Sequence, residues 1–425
     1  MHIVILGNGI SGVTTARYIR KNSNHRITIV SNESDHFYSR TALMYIYMGH
    51  MLYEDTKPYE DWFWEKNGIE LVRGFVQSID FGKKKLNLEG EKEILFDKLV
   101  LAVGAKPNKF GWKGQDLTGV QGLYGLGDLQ EMERNTRGIK KAVVVGGGLI
   151  GIEMAEMLHS RHISTTLLVR EKSYMDAILP PEESEMVSRH IRANGIDLRL
   201  ETELDEIHPD ASGRVSAIYT RSGEKIACQF VGLTVGVSPN VDFLRDTALQ
   251  VKRGIVVNEH FETNIPDVFA IGDCAEFEKP QPNQRPIEQL WYTGKMHGEV
   301  LGQRLSGLNV SYQKGVFFNS AKFFDIEYQV YGQISTQLSA HEDTLYWEHP
   351  NGRKSIRIQF HKTEKHVLGF NLMGIRYRHA QCVEWIRQKA SIETVLKNLR
   401  KANFDPEFFV RYEPELVRQY EGMKE

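Results

Sequence analysis

The chain has 425 residues, 41% of them hydrophobic and 25% charged, with a formal net charge of −2. That length predicts two or three domains with sizeable cores, and the balanced charge gives no reason to expect nucleic acid or an anionic membrane surface as a partner. No segment approaches the roughly 18 consecutive apolar residues of a membrane helix, and the opening Met1-His2-Ile3-Val4-Ile5-Leu6 lacks the basic stretch and cleavage site of an export signal.

In chain order, the first predicted strand, Val4-Ile5-Leu6, runs into Gly7-Asn8-Gly9-Ile10-Ser11-Gly12. A helix-like segment follows, then a second strand, Ile27-Thr28-Ile29-Val30. Residues 96–104 form a further strand that ends in Gly104, with Pro107-Asn108 just beyond. The pattern then repeats. Val143-Val144-Val145 leads into Gly146-Gly147-Gly148-Leu149-Ile150-Gly151, a helix-like segment and the strand Thr166-Leu167-Leu168-Val169. Residues 230–236 end in Gly236, with Pro239-Asn240 beyond. Two GxGxxG turns, each between a β-branched strand and a helix, carry far more information than one alone. The first glycine of each set permits a sharp turn, the second a close approach of backbone to a diphosphate, and the third close packing of helix on strand. The helix N-terminus adds unpaired N–H groups and a positive dipole end. Residues 267–271 form another strand, ending in Gly272-Asp273-Cys274-Ala275. From about residue 310 the character changes to aromatic-rich strand candidates (315–331, 354–360, 366–373) followed by helices, which reads as a separate α+β domain.

These motifs resemble those of the two-dinucleotide-domain flavoproteins of the pyridine nucleotide–disulfide oxidoreductase superfamily, in order over about residues 1–305 and loosely beyond. The resemblance implies an α/β fold with two Rossmann-like domains and a C-terminal α+β domain. A discontinuous FAD-binding domain would comprise residues 1–110 and 250–305, an NAD(P)-binding domain 111–249, and a dimerisation or acceptor-type domain 306–425. On this reading FAD is held by Gly7, Gly9, Ile10, Ser11, Gly12, Ser31, Asn32, Glu33, Arg40, Val76, Ala102, Val103, Gly104, Gly272, Asp273, Gln289, Leu290 and Trp291. NAD(P)H is held by Gly146, Gly148, Leu149, Ile150, Glu153, Arg170, Lys172, Val235 and Gly236. Asp273 would bond the ribityl–phosphate part of FAD. Its ribose would be bonded by Glu33, or by Ser31 as a neutral substitute.

Three departures narrow the function. Relatives that reduce disulfides or peroxides carry a redox cysteine after the second strand, where this chain reads His36-Phe37-Tyr38-Ser39-Arg40-Thr41-Ala42-Leu43-Met44. A thiolate nucleophile is therefore missing there, and the stretch resembles instead that of ferredoxin and rubredoxin reductases and of the nitrite reductase flavin module. The proline and lysine usual in that stretch are replaced by Thr41 and Met44-Tyr45. In the second unit Val169 stands where an NAD-type carboxylate is usual, with Arg170, Glu171 and Lys172 after it, a pattern that favours NADP over NAD.

Cys228, Cys274 and Cys382 have no metal or disulfide spacing and fit a reducing, cytoplasmic setting. Cys274 reads as a packing residue and His297 as structural, while His361, His366 and His379 are too irregularly spaced to predict a metal site. The expected activity is electron transfer from NAD(P)H through FAD to an external acceptor, a small iron–sulfur protein, in a chain that forms a homodimer. Two readings compete with it: a quinone-reducing dehydrogenase, and a flavin-bearing binding protein whose contacts respond to NAD(P)H.

Overall fold

A computed structural model of the chain describes residues 1–282, 284–404 and 412–423. It divides into two compact units. One comprises Met1–Phe110, Gln121–Arg137 and Gly236–Lys314; the other comprises Gly111–Val120, Gly138–Val235 and Gly315–Glu425. The helix Leu126–Asn135 belongs to the first unit because its ends are tied there: the Leu126 N–H donates to Glu33 (3.0 Å), and the Tyr47 and Thr136 hydroxyls bond at 2.7 Å.

The first unit is built on a parallel sheet in the order Val268–Ala270, Lys98–Leu101, His2–Leu6, Arg26–Ser31, Ile69–Arg73. Ile3 sits opposite Ile27 on one side and Lys98 on the other. Ile3, Val4, Ile5, Ile27, Ile29 and Val30 are all buried, so the central strands run buried on both faces instead of alternating, as expected when both sheet faces are covered. The helix Ile10–Asn22 packs on the helix Trp291–Leu305. An antiparallel meander, Val76–Asp80, Lys85–Leu88 and Glu93–Leu95, precedes the strand Lys98–Leu101.

The second unit repeats this plan. Asp197–Arg199, Ser164–Leu168, Lys141–Val145 and Phe230–Leu233 run parallel, with the helix Leu149–Ser160 after the Lys141–Val145 strand. A meander of Leu204–Pro209, Val215–Thr220 and Lys225–Ala227 precedes Phe230–Leu233. The same unit carries an antiparallel five-stranded sheet in the order Phe318–Phe323, Ile326–Gly332, Val367–Met373, Ser355–His361, Glu342–Glu348. The helices His379–Arg387, Ile392–Asn398 and Glu413–Gly422 contribute Cys382, Trp385, Val395 and Leu416 to a core shared with that sheet.

Two details differ from the sequence reading. The stretch 315–331, read as one candidate, breaks at Phe324, whose φ of +55° turns the chain into a hairpin. Glu342–Glu348 is a strand that the sequence reading did not pick out. Its acidic ends hide a short alternation in which Leu345 and Trp347 alone are buried.

Candidate cofactor sites

In the first unit, the Gly7 N–H donates to Val30 O (2.8 Å), and Gly7 takes a φ of +116°. A Cβ there would lie 2.2 Å from Ala102 O, so the turn accepts glycine alone. A Cβ on Gly12 would lie 2.1 Å from Gly7 O, which is how the helix comes close to the turn. Gly9 differs: a Cβ there would meet nothing within 4 Å. Gly9 caps the helix Ile10–Asn22 in extended geometry with no side-chain bond, so the N–H groups of the first turn, including Ile10, Ser11 and Gly12, have no intrahelical acceptor. Open space in front of unpaired N–H groups at a positive dipole end is what a diphosphate requires.

Around this turn the side chains form a connected network. Ser31 Oγ donates to Asn8 Oδ1 (2.9 Å), and Asn8 Nδ2 donates to Ser34 O (2.9 Å). Asn32 is exposed. The Glu33 carboxylate accepts from both terminal nitrogens of Arg40 (2.9 and 2.6 Å), from the Leu126 N–H (3.0 Å) and from the Tyr38 hydroxyl. Burial pushes the Glu33 carboxyl up, but Arg40 and Tyr38 outweigh it and hold it below the usual carboxylate range. Arg40 also donates to Tyr124 O (2.7 Å) and lies 4.5 Å from the Tyr124 ring centre. The Tyr124 hydroxyl donates to Asp273 (3.0 Å) and accepts the Ala105 N–H (3.0 Å). Burial raises the Asp273 carboxyl, with Tyr124 and Arg40 opposing. Residues 33, 40, 124 and 273, far apart in sequence, thus form one chain of bonds.

Ala102, Val103 and Gly104 follow the Lys98–Leu101 strand, and Gly104 has a φ of +68°. Val76 is buried in the meander. Gly272 gives its N–H to His297 Nδ1 (3.3 Å), and a Cβ on Gly272 would lie 2.3 Å from Ser11 Oγ. Burial pushes the His297 imidazole down to about 3, so it stays neutral. Gln289 holds a buried, unpartnered Nε2, Leu290 caps the helix Trp291–Leu305, and Trp291 stacks on Phe37 (6.1 Å, 24°).

The second unit reproduces the turn. The Gly146 N–H donates to Leu168 O (2.9 Å), and Gly146 takes a φ of +113°. Cβ atoms on Gly146 and Gly151 would lie 2.5 Å from Thr234 O and 2.0 Å from Gly146 O, while one on Gly148 would meet nothing within 4 Å. Leu149 and Ile150 start the helix, and Gly148 caps it without a side-chain bond. Val169 is buried against Gly147. Arg170 and Lys172 are exposed, and Arg170 Nε donates to Glu171 (2.6 Å). Val235 packs on a core that includes Val143, Val145 and Leu233, and Gly236, in the first unit, takes a φ of +89°. Glu153 lies on the helix beside Glu156, which is ion-paired to Lys322 (2.6 Å). Burial first, then the Glu156 charge, pushes the Glu153 carboxyl up to about 7.

The sequence profile of the pyridine nucleotide-disulphide oxidoreductase family matches residues 1–298. The chain belongs to this family. Its relatives include an NADH oxidase of Methanocaldococcus jannaschii, 29% identical over 340 residues (77% of this chain, 75% of the relative). A rubredoxin-NAD(+) reductase of Ectopseudomonas oleovorans is 29% identical over 310 residues (72% of this chain, 80% of the relative). Among solved structures, a ferredoxin reductase from Rhodopseudomonas palustris superposes with a TM-score of 0.81 at 23% identity, covering 94% of this chain and 99% of that one. An NAD-dependent persulfide reductase from A. fulgidus gives 0.85 at 22%, covering 100% and 83%. The fold is therefore that of the family, with parallel Rossmann-like sheets and a C-terminal antiparallel sheet, and the family's chemistry is NAD(P)H-dependent flavin oxidoreduction.

Sequence reasoning missed Asn8, Tyr124, Thr234 and Lys322. Tyr124 and Lys322 come from distant parts of the chain and sit in no motif, while Asn8 and Thr234 lie inside quoted segments, at positions the glycine pattern leaves unspecified. It also missed Gly294, Gly298 and Gly302, whose spacing of four residues was a legible signal of close helix contact. The three cysteines are unpaired and buried, and Cys274 donates to Ile271 O (3.3 Å), its thiol pushed up to about 12 by burial. No described helix is long and apolar enough to cross a membrane.

Proposed function

We propose that this chain binds FAD at the Gly7–Gly12 turn and NAD(P)H at the Gly146–Gly151 turn, and delivers electrons to a small external iron–sulfur protein of the rubredoxin or ferredoxin class. The observation that carries this reading is the pair of matching turns, each with an open position, Gly9 or Gly148, before an uncapped helix. FAD, when bound, would supply hydride and electron-transfer chemistry that no side chain of the protein offers.

The chain's own residues bind and orient. Gly7, Gly9, Ile10, Ser11 and Gly12 hold the FAD diphosphate. Gly272 and Asp273 hold the ribityl side, with the Tyr124 bond fixing the carboxylate. Arg40 and Glu33 act as a pair that sets the loop 31–40 against Tyr124 and Leu126, and Glu33 or Ser31 turns a remaining lone pair to the ribose. Ala102, Val103, Gly104, Val76, Asn32, Gln289, Leu290 and Trp291 complete the FAD set. Gly146, Gly148, Leu149, Ile150, Val235 and Gly236 seat the second nucleotide. Glu153, its carboxyl pushed up to about 7 and so protonated in part at neutral pH, can in that form donate a hydrogen bond to a carboxamide there. Arg170 and Lys172 favour a 2′-phosphate, hence NADP.

With no cysteine in residues 36–44 and the three thiols buried, the relay runs through flavin without a redox disulfide. Relatives named for rubredoxin and for a dioxygenase-system ferredoxin support the choice of acceptor.

The test is anaerobic stopped-flow reduction of the purified flavoprotein by NADH and NADPH, followed by reoxidation with rubredoxin, ferredoxins, a quinone and oxygen. Fast bleaching of the flavin band and fastest reoxidation by an iron–sulfur protein is the expected result. A preparation without flavin, or a flavin left oxidised by both nucleotides, overturns the reading. Quinone as the fastest acceptor replaces its last step.

A further inference from the structure

The strands Ser355–His361 and Val367–Met373 are joined by a tight turn. Lys365 reverses the chain there with a φ of +59° and donates its N–H to His361 O (2.8 Å), while the His361 N–H donates to His366 O (2.8 Å). This folds His361, Glu364 and His366, unevenly spaced in sequence, onto one spot. One ligand atom from each lies within 4.8 Å of the other two. The His361 and His366 rings stack at 5.3 Å and 9°, and His341, just before the strand Glu342–Glu348, stacks with His361 at 6.0 Å and 2°. Its position is fixed by the Lys362 N–H, which donates to His341 O (2.7 Å).

We propose that His361, Glu364 and His366 form a binding site for a borderline divalent transition ion of the zinc class, with His341 as the nearest further imidazole. Two imidazoles and one carboxylate make a set that zinc accepts, whereas magnesium and calcium take all-oxygen sets. Three protein ligands leave a fourth position for water or His341. Without an ion, the turn is closed by its own bonds: Glu364 N–H donates to His361 Nδ1 (3.1 Å), and His366 Nδ1 lies 3.1 Å from Glu364 Oε2. The ion replaces these contacts. It takes the His366 nitrogen and the Glu364 carboxylate, whose side chain is 62% exposed and free to swing, and it takes His361 in exchange for the backbone N–H bond. Lys362 and Lys365 on the same turn oppose a cation, so ligand chemistry rather than net charge must supply the affinity. All three cysteines are buried and do not compete for the ion.

The test uses the full chain as purified flavoprotein, stripped with chelator and titrated with Co2+ followed by absorbance and with Zn2+ followed by calorimetry. The expected result is one equivalent bound, with visible Co2+ bands that Zn2+ displaces. The double variant His361→Ala/His366→Ala should lose that equivalent while keeping its flavin content and melting temperature, and Glu364→Gln alone should weaken it. If the double variant does not fold, His366→Gln alone serves the same comparison. Wild-type protein with no Co2+ bands, or a stoichiometry equal in wild type and variants, overturns the site and leaves the three residues as a turn-closing cluster.

Discussion

Within each GxGxxG turn the second and third glycines are needed for opposite reasons. Gly148 faces open space, while Gly151 faces Gly146 O at 2.0 Å from where a Cβ would be. Gly148→Val should therefore leave the thermal midpoint nearly unchanged and weaken NAD(P)H binding at least about tenfold, roughly 1.4 kcal/mol, as read by nucleotide titration. Gly151→Ala should instead destabilise the fold by about 1–3 kcal/mol through overpacking, as read by urea unfolding. Glu153 gives a pH signature. Its folded-state value, about 7, lies above the ordinary 4.5, so the folded chain binds the extra proton between those values. Stability contributed by the neutral carboxyl is full below pH 4.5 and is lost as pH rises through 7, by up to about 3 kcal/mol. Glu153→Gln, always neutral, should flatten that decline in urea titrations at pH 5, 6, 7 and 8. An equal slope in both proteins would remove burial of Glu153 as its cause.

At the scale of elements, the contact between the helices Ile10–Asn22 and Trp291–Leu305 depends on three glycines on one face. Cβ atoms on Gly294, Gly298 and Gly302 would lie 2.7 Å from Ser11 Oγ, 2.5 Å from Ser11 O and 2.6 Å from Tyr18 Cβ. The later helix also carries His297, whose ring accepts the Gly272 N–H beside Asp273. Helix contact and the Gly272–Asp273 turn are thus one arrangement. Gly298→Val should separate the helices, lower the flavin-to-protein absorbance ratio and reduce the unfolding midpoint together. Loss of stability with full flavin content would show that the helix contact does not serve the flavin site.

At the scale of the molecule, the second unit contains a charged cluster buried between its helix Pro181–Ala193 and the C-terminal sheet. Glu183, 0% exposed, accepts from Arg357 Nε (2.7 Å), Arg357 Nη2 (2.8 Å) and Asn371 Nδ2 (3.1 Å), while Arg357 also reaches Glu182 (2.6 Å). Removing Arg357 leaves the buried Glu183 carboxylate with Asn371 as its remaining side-chain partner, and removing Glu183 leaves Arg357 the half-exposed Glu182 as its carboxylate. Glu183→Ala should cost about 3–5 kcal/mol in denaturant unfolding, and replacing Glu183 and Arg357 together by apolar residues should cost less than the single change. Lys322 and Glu156 make a second such link within this unit, beside Glu153.

The sequence by itself determined the family, the parallel sheets and the two glycine turns, because each of these rests on residues adjacent in the chain. A β-branched strand, a turn that needs positive φ at Gly7 and Gly146, and a helix with close-packed glycines are local requirements, and they leave local signatures. Tertiary structure alone decided what surrounds those turns. The sequence left Ser31 and Glu33 as alternatives for one role; the fold gives Ser31 to Asn8 and pairs Glu33 with Arg40. It brings Tyr124 to Asp273 from 149 positions away, Lys322 to Glu156 from 166, and Arg357 to Glu183 from 174. It also gathers His361, Glu364 and His366 at a turn whose spacing argued against a metal. Such partners are chosen by side-chain reach and by burial, which makes an unpaired polar group costly, and neither quantity is set by distance along the chain.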